Sequence, residues 1–114
     1  MNEDPVALWR YLVKEGFHRA AVGLLEDLLW RLDAIEHPGP TALGFKEALS
    51  LAAQEEIRHT YRHWLMEILG DKDGRLLQQW RKSFAEYEDT EAQLRPTFVR
   101  GALRFVRMEG EAHV

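Results

Sequence analysis

Residues Ala52–Leu69 read AAQEEIRHTYRHWLMEIL, and their spacing makes them the middle and end of a long helix. Glu56, His59 and His63 fall at i, i+3 and i+7, so they share one helical face. Ala52 and Met66 continue that face. Neither is a typical surface residue, which predicts that the face turns inward. Two imidazoles and a carboxylate on an inward stripe are costly unless something pairs with them. A metal ion is one such partner, and Glu-x-x-His is the pair that di-iron carboxylate bundles place on their helices.

Working outward, Gly70 ends this helix as a C-terminal glycine. On the other side, Thr41 is placed to cap it, so the helix is expected over about 42–69. His37-Pro38-Gly39-Pro40 is a turn signal. Before it, Asp4-Pro5 is a helix start, with an N-cap followed by proline at the first helical position. Leu8, Leu12, Val22, Leu25, Leu29, Leu32 and Ile35 follow at a period near 3.6, with a gap around Gly16. The spacing predicts one helix over about 5–36, bent at Gly16. Beyond the polar connector Asp71–Gly74, Leu76, Leu77, Trp80, Phe84 and Tyr87 predict a helix from Arg75 to Tyr87 or slightly further. Pro96 marks a boundary, and Thr97 is placed to cap a last helix through Arg107. Residues 108–114 lack an apolar pattern and are expected to fray. The fold class is therefore all-α. A long antiparallel hairpin is joined by one or two shorter C-terminal helices, in one domain over 1–107.

The chain has 114 residues, enough for one domain with a modest core. It has no cysteine, which excludes a disulfide framework, thiolate zinc and a cysteine nucleophile, and fits a reducing cytosol. No apolar run reaches the length of a bilayer span, and no signal-peptide pattern opens the chain. A net charge of −4 argues against general nucleic-acid binding. The exception is the stretch Arg95, Arg100, Arg104 and Arg107, which has no acid among its charges.

In an antiparallel hairpin, residues equidistant from the turn lie at one height. The midpoint of Glu26 and Glu56 is position 41, beside the Pro-Gly-Pro turn, so the two carboxylates are expected to face each other. His59 sits one turn further along. Glu26 with Glu56-x-x-His59 is half of a di-iron ligand set, and a two-fold dimer of hairpins supplies the other half. The same rule pairs His18 with His63 and Glu15 with Glu67 as a secondary layer, either supporting the ligands or forming an ion route or second site. Against this stands composition. Thirteen glutamates and five histidines yield about half a Glu-x-x-His by chance, and Glu15-Gly-Phe-His18 is a second match.

These residues resemble a family. The run His18–Leu28 looks like the first helix of the encapsulated ferritins, and Glu55-Glu56-Ile57-Arg58-His59 followed by Trp64-Leu65 looks like their metal-binding second helix. The thirty-residue interval between Glu26 and Glu56 is also similar. The resemblance covers about residues 15–85, including Trp80 on a third helix. It implies a hairpin that dimerises into a ferritin-like four-helix bundle with a ferroxidase centre between subunits. Fe(II) is oxidised to Fe(III) there, with Glu26, Glu56 and His59 as iron ligands and Asp27 assisting ion entry. It further implies a larger ring of dimers carried as cargo inside an encapsulin shell. Leu32-Asp33 stands where the family has an aromatic pair, and the last six residues differ from its Gly-Ser-Leu-type shell-targeting tail.

Three other readings compete. A metal-free helical dimerisation or interaction protein suits the four tryptophans and five phenylalanines. A mononuclear or zinc-binding bundle uses His59 and His63, an i, i+4 pair, and zinc or manganese are alternative metals to iron for the shared centre. An anionic surface or nucleic acid would meet Arg100, Arg104 and Arg107 on one helical face.

Overall fold

The computed structural model describes residues 4–36, 51–90 and 95–112, with side chains over 4–36, 51–85 and 98–110. The described residues form helices α1 (Pro5–Lys14), α2 (His18–Glu36), α3 (Leu51–Leu69), α4 (Arg75–Thr90) and α5 (Arg95–Ala112). No strand occurs among them. None of these helices is long and apolar enough to cross a membrane. The expected turn at 37–40 and the Thr41 cap lie outside the described residues.

α1 begins as its sequence dictates. The Val6 N–H donates to Asp4 Oδ1 at 2.9 Å, and Pro5 occupies the first turn. Its end is a correction, because the chain does not run on as one bent helix. Gly16 has φ 76°, the Gly16 N–H donates to the Val13 carbonyl, and the Phe17 N–H donates to the Leu12 carbonyl. These bonds are a Schellman stop, in which glycine takes the left-handed position at little cost. Phe17 then packs against Tyr11, ring centroids 6.3 Å apart, which is the apolar contact that accompanies such stops. After the stop the chain reverses. Pro5 and Leu8 line one hollow with Leu24, Asp27 and Leu28, so α1 lies back along α2 as a hairpin. Gly16→Ala should lower stability by about 1–2 kcal/mol, because nothing crowds the added methyl and the cost is the left-handed backbone alone. Chemical denaturation measures it, and an unchanged midpoint would remove the glycine from its role.

α2 is the hub and packs against all four other described helices. Ala21, Val22, Leu25, Leu28, Leu29 and Leu32 are its buried residues, a stripe wide enough to serve several neighbours. α1 adds Val6, Trp9 and Val13; α3 adds Leu65, Ile68 and Leu69; α4 adds Leu77 and Phe84; α5 adds Phe98, Ala102 and Val106. Aromatic rings join α1, α4 and α5. Trp9 stacks on Phe105 at 5.8 Å, Trp80 meets Phe105 at 5.5 Å and Phe98 at 5.8 Å, and Phe84 meets Phe98 at 5.5 Å.

Gly70 ends α3 as expected, with φ 66° and the Asp71 N–H donating to the Met66 carbonyl. Asp71 then organises the connector. Its carboxylate accepts from the N–H groups of Leu77 (2.8 Å), Gly74 (3.1 Å) and Asp73 (3.3 Å). These backbone bonds, Leu77 first, hold its carboxyl below the usual carboxylate range. A lowered native value means the stabilisation is full above the unfolded-state value and is lost as pH falls through the native one. Asp71→Asn should therefore flatten the acid side of the stability–pH curve while changing its slope little near neutrality. An acid limb identical to wild type would contradict this.

α5 corrects the expected tail. It starts at Arg95 with Pro96 in its first turn, so the proline does mark a boundary, while Thr97 lies inside the helix. Residues 108–112 continue the helix instead of fraying. A Cβ on Gly110 would stand 3.5 Å from the Val13 carbonyl oxygen, so this last turn is seated on the end of α1.

Candidate functional site

α3 has two unlike faces. Leu65, Ile68 and Leu69 are buried, and Ile57, Tyr61 and Trp64 are half-buried beside them. On the opposite side Ala52, Glu56, His59, His63 and Glu67 are exposed. The expected inward turn of this stripe is thus corrected, since Ala52 is exposed and Met66 only half-buried. The apolar area of Tyr61, Trp64, Leu65 and Ile68 far exceeds that of Ala52 and Met66, and burial of the larger area sets the rotation of the helix.

The register between α2 and α3 is also not centred on the Pro-Gly-Pro segment. Glu36 Oε1 lies 3.7 Å from Arg58 Nη1, a pair whose midpoint is position 47. Arg31 and Tyr61 line one hollow, a pair with midpoint 46. The reason is apolar matching. A mirror at 41 would set Leu25, Leu28, Leu29 and Leu32 level with Ile57, Gln54, Ala53 and Ser50. A mirror between 46 and 47 sets them level with Ile68, Leu65, Trp64 and Tyr61. On that mirror Glu26 stands level with the Met66–Glu67 turn and not with Glu56, an offset of about 15 Å along α3. Glu26 is half-buried on α2 and makes an interaction of its own. Its neighbour Asp27 accepts from Arg31 at 2.9 Å.

The secondary layer does not assemble within the chain. Glu15 caps the end of α1 and His18 opens α2, so the two belong to different helices. His18 borders a hollow with Leu12, Leu103 and Arg107. His63 instead pairs along α3, with Nε2 3.4 Å from Glu67 Oε1. Among the described residues, no three His, Asp or Glu side chains converge in a way that could hold a metal ion.

One ionic cluster had no signal in the sequence. Glu36 accepts from Arg81 Nη2 at 2.8 Å and is flanked by Arg58, so α2, α3 and α4 meet at a carboxylate that is 16 % exposed. Arg58 also bonds Glu55, whose carboxyl this bond holds below the ordinary value. Residues 36, 58 and 81 are too far apart in sequence for spacing to connect them. On α5, Arg100, Arg104 and Arg107 are exposed, and Arg107 borders the His18 hollow.

Taken together, the site is one exposed helical face with imidazole and carboxylate groups in register, opposite the face that packs the core. No protein-family model, curated protein or solved structure matches the chain.

Proposed function

We propose that this chain binds a divalent transition metal between two of its copies, through Glu56 and His59, and oxidises Fe(II) as its substrate. The observation that carries this is the outward placement of Glu56 and His59, one turn apart, on the face of α3 turned away from its own core. Their i, i+3 spacing lets both reach one ion. A metal site needs three or four protein donors, so the remainder must come from a second copy. Carboxylate is a hard oxygen donor and imidazole suits iron, zinc and copper alike. With iron as substrate, each Fe(II) gives up one electron and dioxygen is the acceptor. Glu26 enters this proposal only from another copy, given the register within one chain. Ring assembly and an encapsulin shell are implications of the resemblance alone.

Metal content and oxidation rate test it together. Protein loaded anaerobically with Fe(II) and exposed to air should oxidise iron faster than buffer. Glu56→Ala and His59→Ala should each return the rate to that of buffer and release the iron. Retained wild-type loading in both would overturn the assignment. A metal-free interaction protein is the competing reading, favoured by Trp30, which is 57 % exposed on α2. It predicts no bound metal after purification and no gain in melting temperature on adding one.

A further inference from the structure

Along the outer face of α3 the donor groups run Glu56, His59, His63, Glu67. That order, acid–imidazole–imidazole–acid, is the same from either end. At 100° per residue the four positions fall within an arc of about 80°, and all four side chains are exposed. They span twelve residues, or about 16 Å, so one chain cannot close them around one ion. The pair His59 and His63 and the pair His63 and Glu67 are each half of a coordination sphere at best.

A second copy completes it. A two-fold axis crossing α3 at the height of Tyr61 and Arg62 lays another α3 antiparallel on the first. His59 is then level with the partner's His63, and Glu56 is level with the partner's Glu67 to within about 1 Å. A two-fold interface repeats every contact, so two equivalent clusters form. Each holds two imidazoles and two carboxylates, a four-donor set whose charge of −2 balances a divalent cation. The face contributes Ala52 and the exposed part of Met66 as its apolar surface, so burial of apolar surface gives little drive for association. Like-charged carboxylates on both copies also oppose pairing without an ion.

We infer that the outer face of α3 is a metal-dependent homodimer interface with two mononuclear sites. Each is built from Glu56 and His59 of one chain and His63 and Glu67 of the other. The inference rests on the metal-binding reading above, keeps Glu56 and His59, and takes the remaining donors from His63 and Glu67 of the second copy, leaving Glu26 out. The donor set and tetrahedral demand fit Zn(II), with Fe(II) able to use the same nitrogens and oxygens. Without metal the chain is monomeric.

Cross-complementation tests this. Native mass spectrometry with added Zn(II) should show wild-type dimers carrying two ions. His59→Ala alone and His63→Ala alone should each stay monomeric and unloaded. In an equimolar mixture of the two variants, the heterodimer regains one intact cluster, and a dimer with one ion should appear. Glu67→Gln should weaken loading, and Glu26→Gln should leave it at two. All but Glu26 are exposed, so the other substitutions leave the core untouched. An unloaded mixture would overturn the inference, because a site within one chain or between other faces gains nothing from mixing. If His59→Ala loses metal while His63→Ala and Glu67→Gln keep it, the inference fails and the broader metal-binding reading stands. If wild type takes up neither Zn(II) nor Fe(II), both fall.

Discussion

Leu25→Ala should cost about 3–5 kcal/mol, among the largest effects of any single change in this chain. Leu25 is fully buried at the centre of α2, the helix that touches every other described helix. Its neighbours along the stripe, Leu28, Leu29 and Leu32, are buried too, as is Ile68 of α3. Removing three carbons there loses their transfer free energy and leaves a cavity that helices pinned on several sides cannot collapse to fill. For a chain of this size that loss lowers the thermal midpoint by about 12–20 °C. Calorimetry or circular dichroism on heating measures it. A shift of a few degrees would mean that α2 is not the hub.

Trp9→Ala should be comparable, about 3–5 kcal/mol, but different in kind. Trp9 is buried on α1 and stacks on Phe105 of α5. α1 has ten residues, too few to hold a helix on their own in water. Its order depends on docking, and Trp9 is the largest side chain it docks with. Truncation should therefore undock α1 before the rest unfolds. Amide exchange in α1 should rise toward unprotected rates while α2 and α3 keep most of their protection. Uniform loss of protection across all helices would show instead that α1 belongs to a single cooperative unit.

Helix identity was legible in the chain because its punctuation is local. Asp4-Pro5, Gly70 and Arg75 mark real helix ends, since an N-cap or a left-handed glycine acts within a few residues of itself. Gly16 carries the same kind of signal, although apolar periodicity alone runs through it as a bend. The sequence Lys14-Glu15-Gly16-Phe17 has a basic last turn, a glycine and then an apolar residue, which together describe a stop. The register was also encoded, but in a different place from the turn. Sliding α3 until Tyr61, Trp64, Leu65 and Ile68 stand level with the leucines of α2 agrees with the Glu36–Arg58 contact and with the hollow that Leu24, Leu28, Tyr61 and Trp64 share. A mirror rule anchored on Pro38-Gly39-Pro40 instead assumed that the turn sits midway between the packed stripes. The outward direction of Glu56, His59 and His63 follows from weighing the two faces of α3 by apolar area. Ala52 and Met66 together offer too little apolar area to turn their face inward. The Glu36–Arg58–Arg81 cluster was not legible, because it exists only once three helices have been brought together.

Mass in solution with and without metal tests the central claim most directly. Sedimentation equilibrium of the wild-type chain in chelator should give the mass of one copy, and after adding one Zn(II) per chain it should give twice that mass. The same mass in both solutions would contradict a metal held between copies by the outer face of α3.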